Sequence, residues 1–293
     1  MDLTAFAEEI GSAGPVTIAG LGTRGGAVPG IRAVRAPAGI VTVQPEEMIV
    51  RCGAGTPVAE LDAALAAVGQ RVALPPRGTV GGILSAGRSG PRRLGDGPVR
   101  DTLLQARYVS AEGRPITAGG PTVKNVSGFD LCRLLVGSWG TLGFLGEVIL
   151  RTRPRPACSA WYSGRADPFA LLERLYRPVS VLWDGTTTWV CLEGHPDDVA
   201  AQAGLTGLAG VDAPPALPGG GRESLPPSAL ATLTGEFVAE VGVGVVHRPG
   251  PVPARPAPPR VAELHRRLKH EFDPTERLNP GVDPLTRAAA GGD

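Results

Sequence analysis

The chain has 293 residues, enough for one large domain or two ordinary domains with a sizeable buried core. Apolar residues make up 42% of it and charged residues 19%, which is typical of a folded globular protein and excludes a wholly disordered one. The formal net charge of +1 lacks the basic excess of phosphate-binding surfaces, so we expect no nucleic-acid partner.

In the first part of the chain, from Pro15 to about Pro156, short β-rich runs alternate with glycine loops. These runs predict strands over residues 16–19, 39–43, 48–52, 103–109 and 145–151, with a further strand after the turn at 111–114.

One helix is predicted within this part from apolar residues at the spacing i, i+3, i+7, i+10, namely Val58, Leu61, Leu65 and Val68. Thr56 is expected to cap its first turn and Pro57 to take its first position. Gly69 is expected to end it.

The second part of the chain, from about Ala157, has weaker patterns. They predict a helix over 168–176, a hairpin of strands 179–183 and 186–192, a helix from 196, a strand over 237–247 and a basic amphipathic helix over 261–272. The Pro/Gly-rich stretch 213–227 is expected to be an exposed loop.

The first glycine loop, Gly20-Leu21-Gly22-Thr23-Arg24-Gly25, follows a predicted strand and fits the dinucleotide fingerprint G-x-G-x-x-G. That fingerprint requires a helix to begin at the loop, and Ala27-Val28-Pro29-Gly30 prevents one. A Rossmann fold is therefore not expected. Two interpretations stay open, a phosphate cradle made of loop amides and an ordinary glycine-rich turn.

Two further segments are rich in small residues. Residues 75–91 carry glycines with three hydroxyl side chains, Thr79, Ser85 and Ser89, and predict an open trough with arginines, Arg100 among them, nearby. Lys124–Leu131 and Gly137–Gly143 form a third approach, meaning a third segment whose small residues let the backbone come close to a ligand. Three such approaches favour a long ligand with two phosphates over a ligand with one.

These segments carry a family resemblance. TVGGILSAGRSGPRR at 79–93, VRD at 99–101 and KNVSGFDLCRLLVGSWGTLGFLGEVIL at 124–150 resemble the FAD-binding domain of the p-cresol methylhydroxylase and vanillyl-alcohol oxidase superfamily. They are most similar to the FAD-binding subunits of bacterial glycolate oxidases. The resemblance covers roughly residues 15–156, and FDP at 272–274 with NPG at 279–281 resembles the end of the same family.

The resemblance implies an α+β fold with three parts. A two-part FAD-binding domain is expected over 1–156 and a small, reduced α+β cap over 157–250. A connector, helix and tail over 251–293 are expected to return to the FAD domain. The related large oxidase subunits usually carry Glu in GSEGTLG, at the position where this chain has Trp139.

The resemblance also implies a set of cofactor-binding residues. The pyrophosphate is expected on Gly20, Gly22, Thr23, Arg24, Gly25 and Gly26, and on Thr79, Val80, Gly81 and Gly82. The flavin is expected along Ser85, Ala86, Gly87, Ser89 and Gly90, and the ribose or adenine along Gly140, Thr141, Leu142, Gly143 and Leu145. The first two loops contain no His or Cys, so the FAD is expected to be non-covalent.

The catalytic residues are harder to predict. Catalytic relatives carry a cap strand of the type H-x-G-D-G-N-x-H, which corresponds here to Glu240–His247 and keeps only the last histidine. His247 is a candidate general base, or a strand-end histidine at a partly buried interface. One histidine without a carboxylate partner predicts no metal site.

No apolar run is long enough to span a membrane, and MDLTAFAEEI lacks the features of an export signal. We therefore expect a cytoplasmic protein, attached to membranes only through partner subunits. Cys52, Cys132, Cys158 and Cys191 lie far apart, which favours buried or free thiols over disulfides or metal ligands.

Three functions remain open. The resemblance implies an accessory or electron-relaying FAD subunit of a 2-hydroxy-acid oxidase, with a larger flavoprotein subunit and an iron–sulfur subunit as partners. The cysteines of this chain lack the spacing for iron–sulfur clusters. The alternatives are a self-sufficient FAD-dependent oxidoreductase for a small alcohol or hydroxy acid, and a scaffold that has lost the flavin.

Overall fold

The computed structural model describes residues 1–121, 130–253 and 256–287. Most of the predicted approach Lys124–Leu131 lies outside the described residues. The chain divides into two compact units. Unit 1 comprises Met1–Arg88, Pro98–Pro154 and 256–287, and unit 2 comprises Ser89–Gly97 and 155–253. The assignment of residues 1–156, 157–250 and 251–293 to a FAD domain, a cap and a returning tail stays a prediction.

The strands are β1 (Val16–Ala19), β2 (Arg32–Arg35), β3 (Ile40–Gln44), β4 (Ile49–Gly53), β5 (Gln70–Val72), β6 (Leu103–Val109), β7 (Pro115–Gly119), β8 (Phe144–Pro154), β9 (Cys158–Gly164), β10 (Ser180–Trp183), β11 (Thr188–Gly194), β12 (Ala209–Val211), β13 (Gly221–Ser224), β14 (Val238–Glu240) and β15 (Val245–Arg248). The helices are α1 (Thr4–Ile10), α2 (Val58–Ala66), α3 (Val80–Ala86), α4 (Arg93–Asp96), α5 (Leu131–Leu135), α6 (Pro168–Arg174), α7 (Pro196–Thr206), α8 (Pro259–Phe272) and α9 (Pro284–Arg287). Short 3₁₀ turns span Val99–Asp101 and Pro227–Thr232. This mixture confirms the predicted α+β class.

Unit 1 is built on two sheets. The larger sheet has the order β3-β4-β8-β6-β7 with antiparallel neighbours, and β5 pairs with β8. The smaller sheet is the parallel pair β1-β2. As predicted, no helix begins between these two strands, so the Rossmann interpretation is excluded by the structure.

Helix α2 confirms the predicted periodicity at its first three positions but not its cap or its end, because the helix ends at Ala66 and Val68 beyond it is exposed. Val58, Leu61 and Leu65 are fully buried in the core of unit 1. The Thr56 hydroxyl donates to the Gly53 carbonyl at 2.7 Å and accepts from the Gly39 N–H at 2.9 Å, so the predicted helix cap is wrong. Pro57 takes the N-cap position instead.

Helix α3 was not predicted, because its glycines indicated an open loop. The hydroxyl of Thr79 caps it by accepting from the Gly82 N–H at 3.1 Å. Val80, Ile83 and Leu84 are fully buried in the same core as α2. Tertiary packing therefore outweighs the poor helix propensity of two glycines, about 1 kcal/mol each.

Unit 2 is one antiparallel sheet in the order β12-β9-β11-β10-β14-β15-β13. Its core lies between the sheet and helices α6 and α7 and includes Leu171, Val190, Val199 and Val246. The predicted hairpin is confirmed as β10 and β11. The stretch 213–227 was predicted to be a loop, but it contains β13, which pairs with β15.

The strand predicted over 237–247 is wrong in one respect, because it is a hairpin of β14 and β15. The chain reverses at Gly242 and Gly244, which both have φ of +83°. L side chains rarely adopt that conformation, and the turn is closed by the Gly244 N–H donating to the Glu240 carbonyl at 3.0 Å. The reversal brings the two ends of the predicted strand together.

The tail after α8 is tied into unit 1 by buried polar groups. Asp273 is fully buried and accepts from the Lys269 ammonium at 2.6 Å and from the Leu278 N–H at 2.7 Å. Arg277, only 4% exposed, donates to five backbone carbonyls. Asn279 is thereby held beside β1.

Candidate functional site

A cleft that is open to solvent lies in unit 1. It brings together ten of the predicted cofactor residues: Gly20, Gly22, Thr23, Arg24, Gly26, Thr79, Gly81, Gly82, Ser85 and Leu145. The other lining residues are Ile18, Ala19, Leu21, Ala36, Ala54, Gly55, Trp139, Phe144 and Asn279. Segments far apart in sequence thus converge on one cleft.

The other predicted cofactor residues do not line this cleft: Gly25, Val80, Ala86, Gly87, Ser89, Gly90, Arg100, Gly140, Thr141, Leu142 and Gly143. Val80 and Leu142 are buried in the core of unit 1, and Ser89 with Gly90 belongs to unit 2. Arg100 is exposed beside Asp101, with 3.8 Å between the nitrogen and oxygen atoms. Their part in binding FAD stays a prediction.

The first glycine loop offers backbone donors. Gly22 and Gly26 have φ of +70° and +82°, which bends the chain tightly. Within the described residues no hydrogen bond engages the N–H groups of Gly20, Leu21, Gly22, Thr23, Gly25 and Gly26. Successive free amides in such a bend form a concave site for anionic oxygens.

The start of α3 contributes surface rather than donors. The N–H groups of Val80 and Gly81 donate to the carbonyls of Thr56 and Ala54 at 2.9 and 2.7 Å. Gly82 donates to the Thr79 hydroxyl. Gly81 and Gly82 line the cleft without side chains, and a Cβ at Gly82 would lie 3.0 Å from that hydroxyl oxygen.

The lining fits an extended dinucleotide with phosphates. Free loop amides and the cation of Arg24, which donates to the Arg77 carbonyl at 2.6 Å, suit a diphosphate. Ile18, Phe144 and Leu145 provide apolar surface for flat rings. The lining contains no His or Cys, the residue types expected for a covalent flavin link.

Asn279 is a site residue that sequence analysis missed. Its Oδ1 accepts from the Thr17 hydroxyl at 2.7 Å and from the Ile18 N–H at 3.1 Å, and its Nδ2 donates to the Trp139 carbonyl at 2.6 Å. Asn279 therefore holds β1 and the loop that contains Trp139 at a fixed distance from each other. The NPG resemblance was the only sequence signal for it.

Unit 2 holds a second polar cluster. His247 Nε2 lies 2.8 Å from Glu240 Oε1, and the two side chains are 7% and 2% exposed. The prediction that His247 lacks a carboxylate partner is wrong, because the β14–β15 hairpin returns it to Glu240. Glu240 Oε2 has no hydrogen-bond partner among the described residues, and neither does the hydroxyl of Ser180 on β10. No described group of three or more His, Cys, Asp or Glu residues is placed to hold a metal ion.

The cysteines are free, and three of them are buried. Burial, with the charges of Glu147 and Glu60, raises the pKa of the Cys52 thiol to about 12. Burial likewise raises the pKa of Cys132 to about 11. Both thiols are therefore almost wholly protonated at neutral pH, which favours core packing over a redox role for Cys132.

We expect iodoacetamide at pH 8 to label half-buried Cys158 well before Cys52 or Cys132, because the reagent requires an accessible thiolate. Peptide mass spectrometry of the folded protein measures this order. Labelling in urea, where all four cysteines should react, is the control. Rapid labelling of Cys132 in the folded protein would restore a reactive role for it.

Residues 15–119 match the FAD binding domain family. This match confirms the predicted family resemblance and the predicted cofactor, FAD. None of the helices in the described ranges is long and apolar enough to cross a membrane.

The chain is 34% identical over 186 residues to glycolate oxidase subunit GlcE of Escherichia coli (strain K12), covering 59% of this chain and 53% of that protein. It is 37% identical over 144 residues to a D-lactate dehydrogenase of Archaeoglobus fulgidus, covering 46% and 32%. It is 42% identical over 78 residues to glycolate oxidase subunit GlcD of Bacillus subtilis, covering 27% and 17%. The matches thus span about half of the first protein's length and less of the others.

Among solved structures, alkyldihydroxyacetonephosphate synthase is similar with a TM-score of 0.65 over 95% of this chain and 73% of that chain. The sequence identity is 14%, so this similarity shows the fold alone. It confirms the predicted fold class.

Proposed function

We propose that this chain, in which residues 15–119 belong to the FAD binding domain family, is the FAD-binding subunit of a glycolate oxidase-like complex. The complex would oxidise a 2-hydroxy acid to the 2-oxo acid. Bound FAD would accept the hydride from the carbinol carbon, while the hydroxyl proton passes to a base. The similarity to GlcE, GlcD and a D-lactate dehydrogenase supports this reaction class.

One observation carries the accessory role. The cleft offers amides, glycines and apolar surface for a dinucleotide, but its lining includes no Asp, Glu or His that could take the hydroxyl proton. A larger flavoprotein subunit would supply the substrate groups, and an iron–sulfur subunit would take the electrons. This chain would hold FAD for assembly or electron relay in the cytoplasm, at a membrane only through those partners.

The Glu240–His247 pair favours a second candidate, a self-sufficient oxidoreductase. A carboxylate partner orients an imidazole for proton transfer, as a general base requires. Arg222 is the register partner of His247 across β13 and β15, so a cation that could pair with a substrate carboxylate lies on the neighbouring strand.

One experiment tests the proposal and separates the candidates. We expect the purified chain to bind about one FAD, releasable by acid, and FMN not to substitute because the loop amides suit a diphosphate. Dye-linked turnover of the loaded chain with glycolate and both lactates should stay at background, in wild type and in His247→Ala alike. Robust turnover abolished by His247→Ala would establish the second candidate, and failure to bind FAD would contradict both.

A further inference from the structure

Trp139 has an unusual backbone conformation. Its φ is +54°, in a region where bulky L residues are rare. Holding such a residue there costs free energy, which the surrounding structure must offset. Strained residues cluster at binding and catalytic sites, so we searched for a role of Trp139 in the cleft.

Contacts from two segments hold this conformation, namely the end of α3 with the residues just after it and the tail that carries Asn279. The Trp139 N–H donates to the Ser85 carbonyl at 2.8 Å, and its carbonyl accepts from Asn279 at 2.6 Å. The guanidinium of Arg88, itself 8% exposed, lies over the indole ring, 5.4 Å from its centroid. The position of the ring is thus fixed before any ligand arrives.

Burial does not explain why the indole ring of Trp139 is held in place. Trp139 is only half-buried, and it lines the cleft together with Gly20–Thr23 and Gly82. Full burial of an indole would stabilise the fold, whereas a half-exposed one in a strained conformation yields less. Besides Trp139, the cleft is lined mainly by glycines and by the apolar side chains of Ile18, Phe144 and Leu145. Such an arrangement suits stacking against a flat ligand.

We propose that Trp139 is the stacking wall of this cleft and contacts one of the two planar rings of the bound dinucleotide. The inference rests on the proposed function, since it needs FAD in the cleft. Stacking of a base on an aromatic side chain contributes about 1–3 kcal/mol to binding, which corresponds to roughly 5–150-fold in affinity.

The test compares two variants that keep an apolar L side chain, and with it the backbone strain, at this position. Trp139→Leu removes the aromatic ring, and Trp139→Phe retains one. Fluorescence or calorimetric titration of the FAD-free protein should give at least about tenfold weaker FAD binding for Leu, and binding within about threefold of wild type for Phe. Melting temperatures of the two FAD-free variants should agree closely. Trp189→Leu, in unit 2, is the matched control and should leave FAD affinity unchanged.

Titration with ADP identifies the ring. Weaker ADP binding in Trp139→Leu assigns the adenine, whereas unchanged ADP binding together with weaker FAD binding assigns the isoalloxazine. Equal FAD affinity in wild type and Trp139→Leu would overturn the inference while leaving the proposed function intact. Equal losses in the Leu and Phe variants, with lowered melting temperatures, would show a purely structural role and also overturn it. A wild-type chain that binds no FAD would overturn both.

Discussion

Gly82→Asp is expected to weaken FAD binding roughly a hundredfold, while the melting temperature of the FAD-free protein stays close to that of wild type. Gly82 lines the cleft in the first turn of α3. A carboxylate there would be repelled by the phosphates of FAD, and two like charges about 6 Å apart repel each other by about 3 kcal/mol at an effective dielectric constant of about 20. The fold should tolerate it, because an acidic group in the first turn suits the helix dipole.

Two further variants separate the effect of the added carboxylate charge from the effect of the added side-chain atoms. Gly82→Ala adds the same Cβ, 3.0 Å from the Thr79 hydroxyl oxygen, without the charge, and should lose far less affinity. At Gly81 a Cβ would lie 2.9 Å from both the Cβ and the carbonyl oxygen of Ala54, so Gly81→Ala should lower the melting temperature. The prediction fails if Gly82→Asp melts as early as Gly81→Ala, or if it binds FAD as tightly as Gly82→Ala.

The sequence predicted those elements whose pattern is local. Val58, Leu61 and Leu65 form one apolar face, and all three are buried, so α2 could be predicted from its spacing alone. Helix α3 could not be predicted in this way. Its glycines are poor helix formers, and the buried contacts of Val80, Ile83 and Leu84 that offset them come from distant segments.

The same distinction between local sequence patterns and contacts from distant segments applies to the site. Gly20–Gly26 and Thr79–Gly82 are recognisable from glycine density, which is a local signal. Asn279 reaches β1 from the far end of the chain, and Glu240 meets His247 only because Gly242 and Gly244 reverse the strand. Such partners depend on the folded topology, so a single sequence without that topology does not reveal them.

Arg277→Ala is expected to destabilise unit 1 by about 3–5 kcal/mol, the cost of breaking a buried charged network. The guanidinium donates to the carbonyls of Ile10, Gly11, Ala13, Gly14 and Ala111 at 2.7–3.1 Å. These carbonyls include those at the C-terminal end of α1, where a cation also complements the helix dipole. Removing the side chain would leave several buried acceptors unpaired at once.

The measurement is thermal unfolding of the FAD-free protein, in which the loss should lower the melting temperature by roughly 10 °C or more. Arg267→Ala, on the exposed part of α8, is the matched control and should stay within about 0.5 kcal/mol of wild type. Arg277→Lys should recover little, because one ammonium cannot reproduce the planar fork that serves five carbonyls. If Arg277→Ala had the same melting temperature as Arg267→Ala, that result would contradict the conclusion that the tail holds Asn279 against β1.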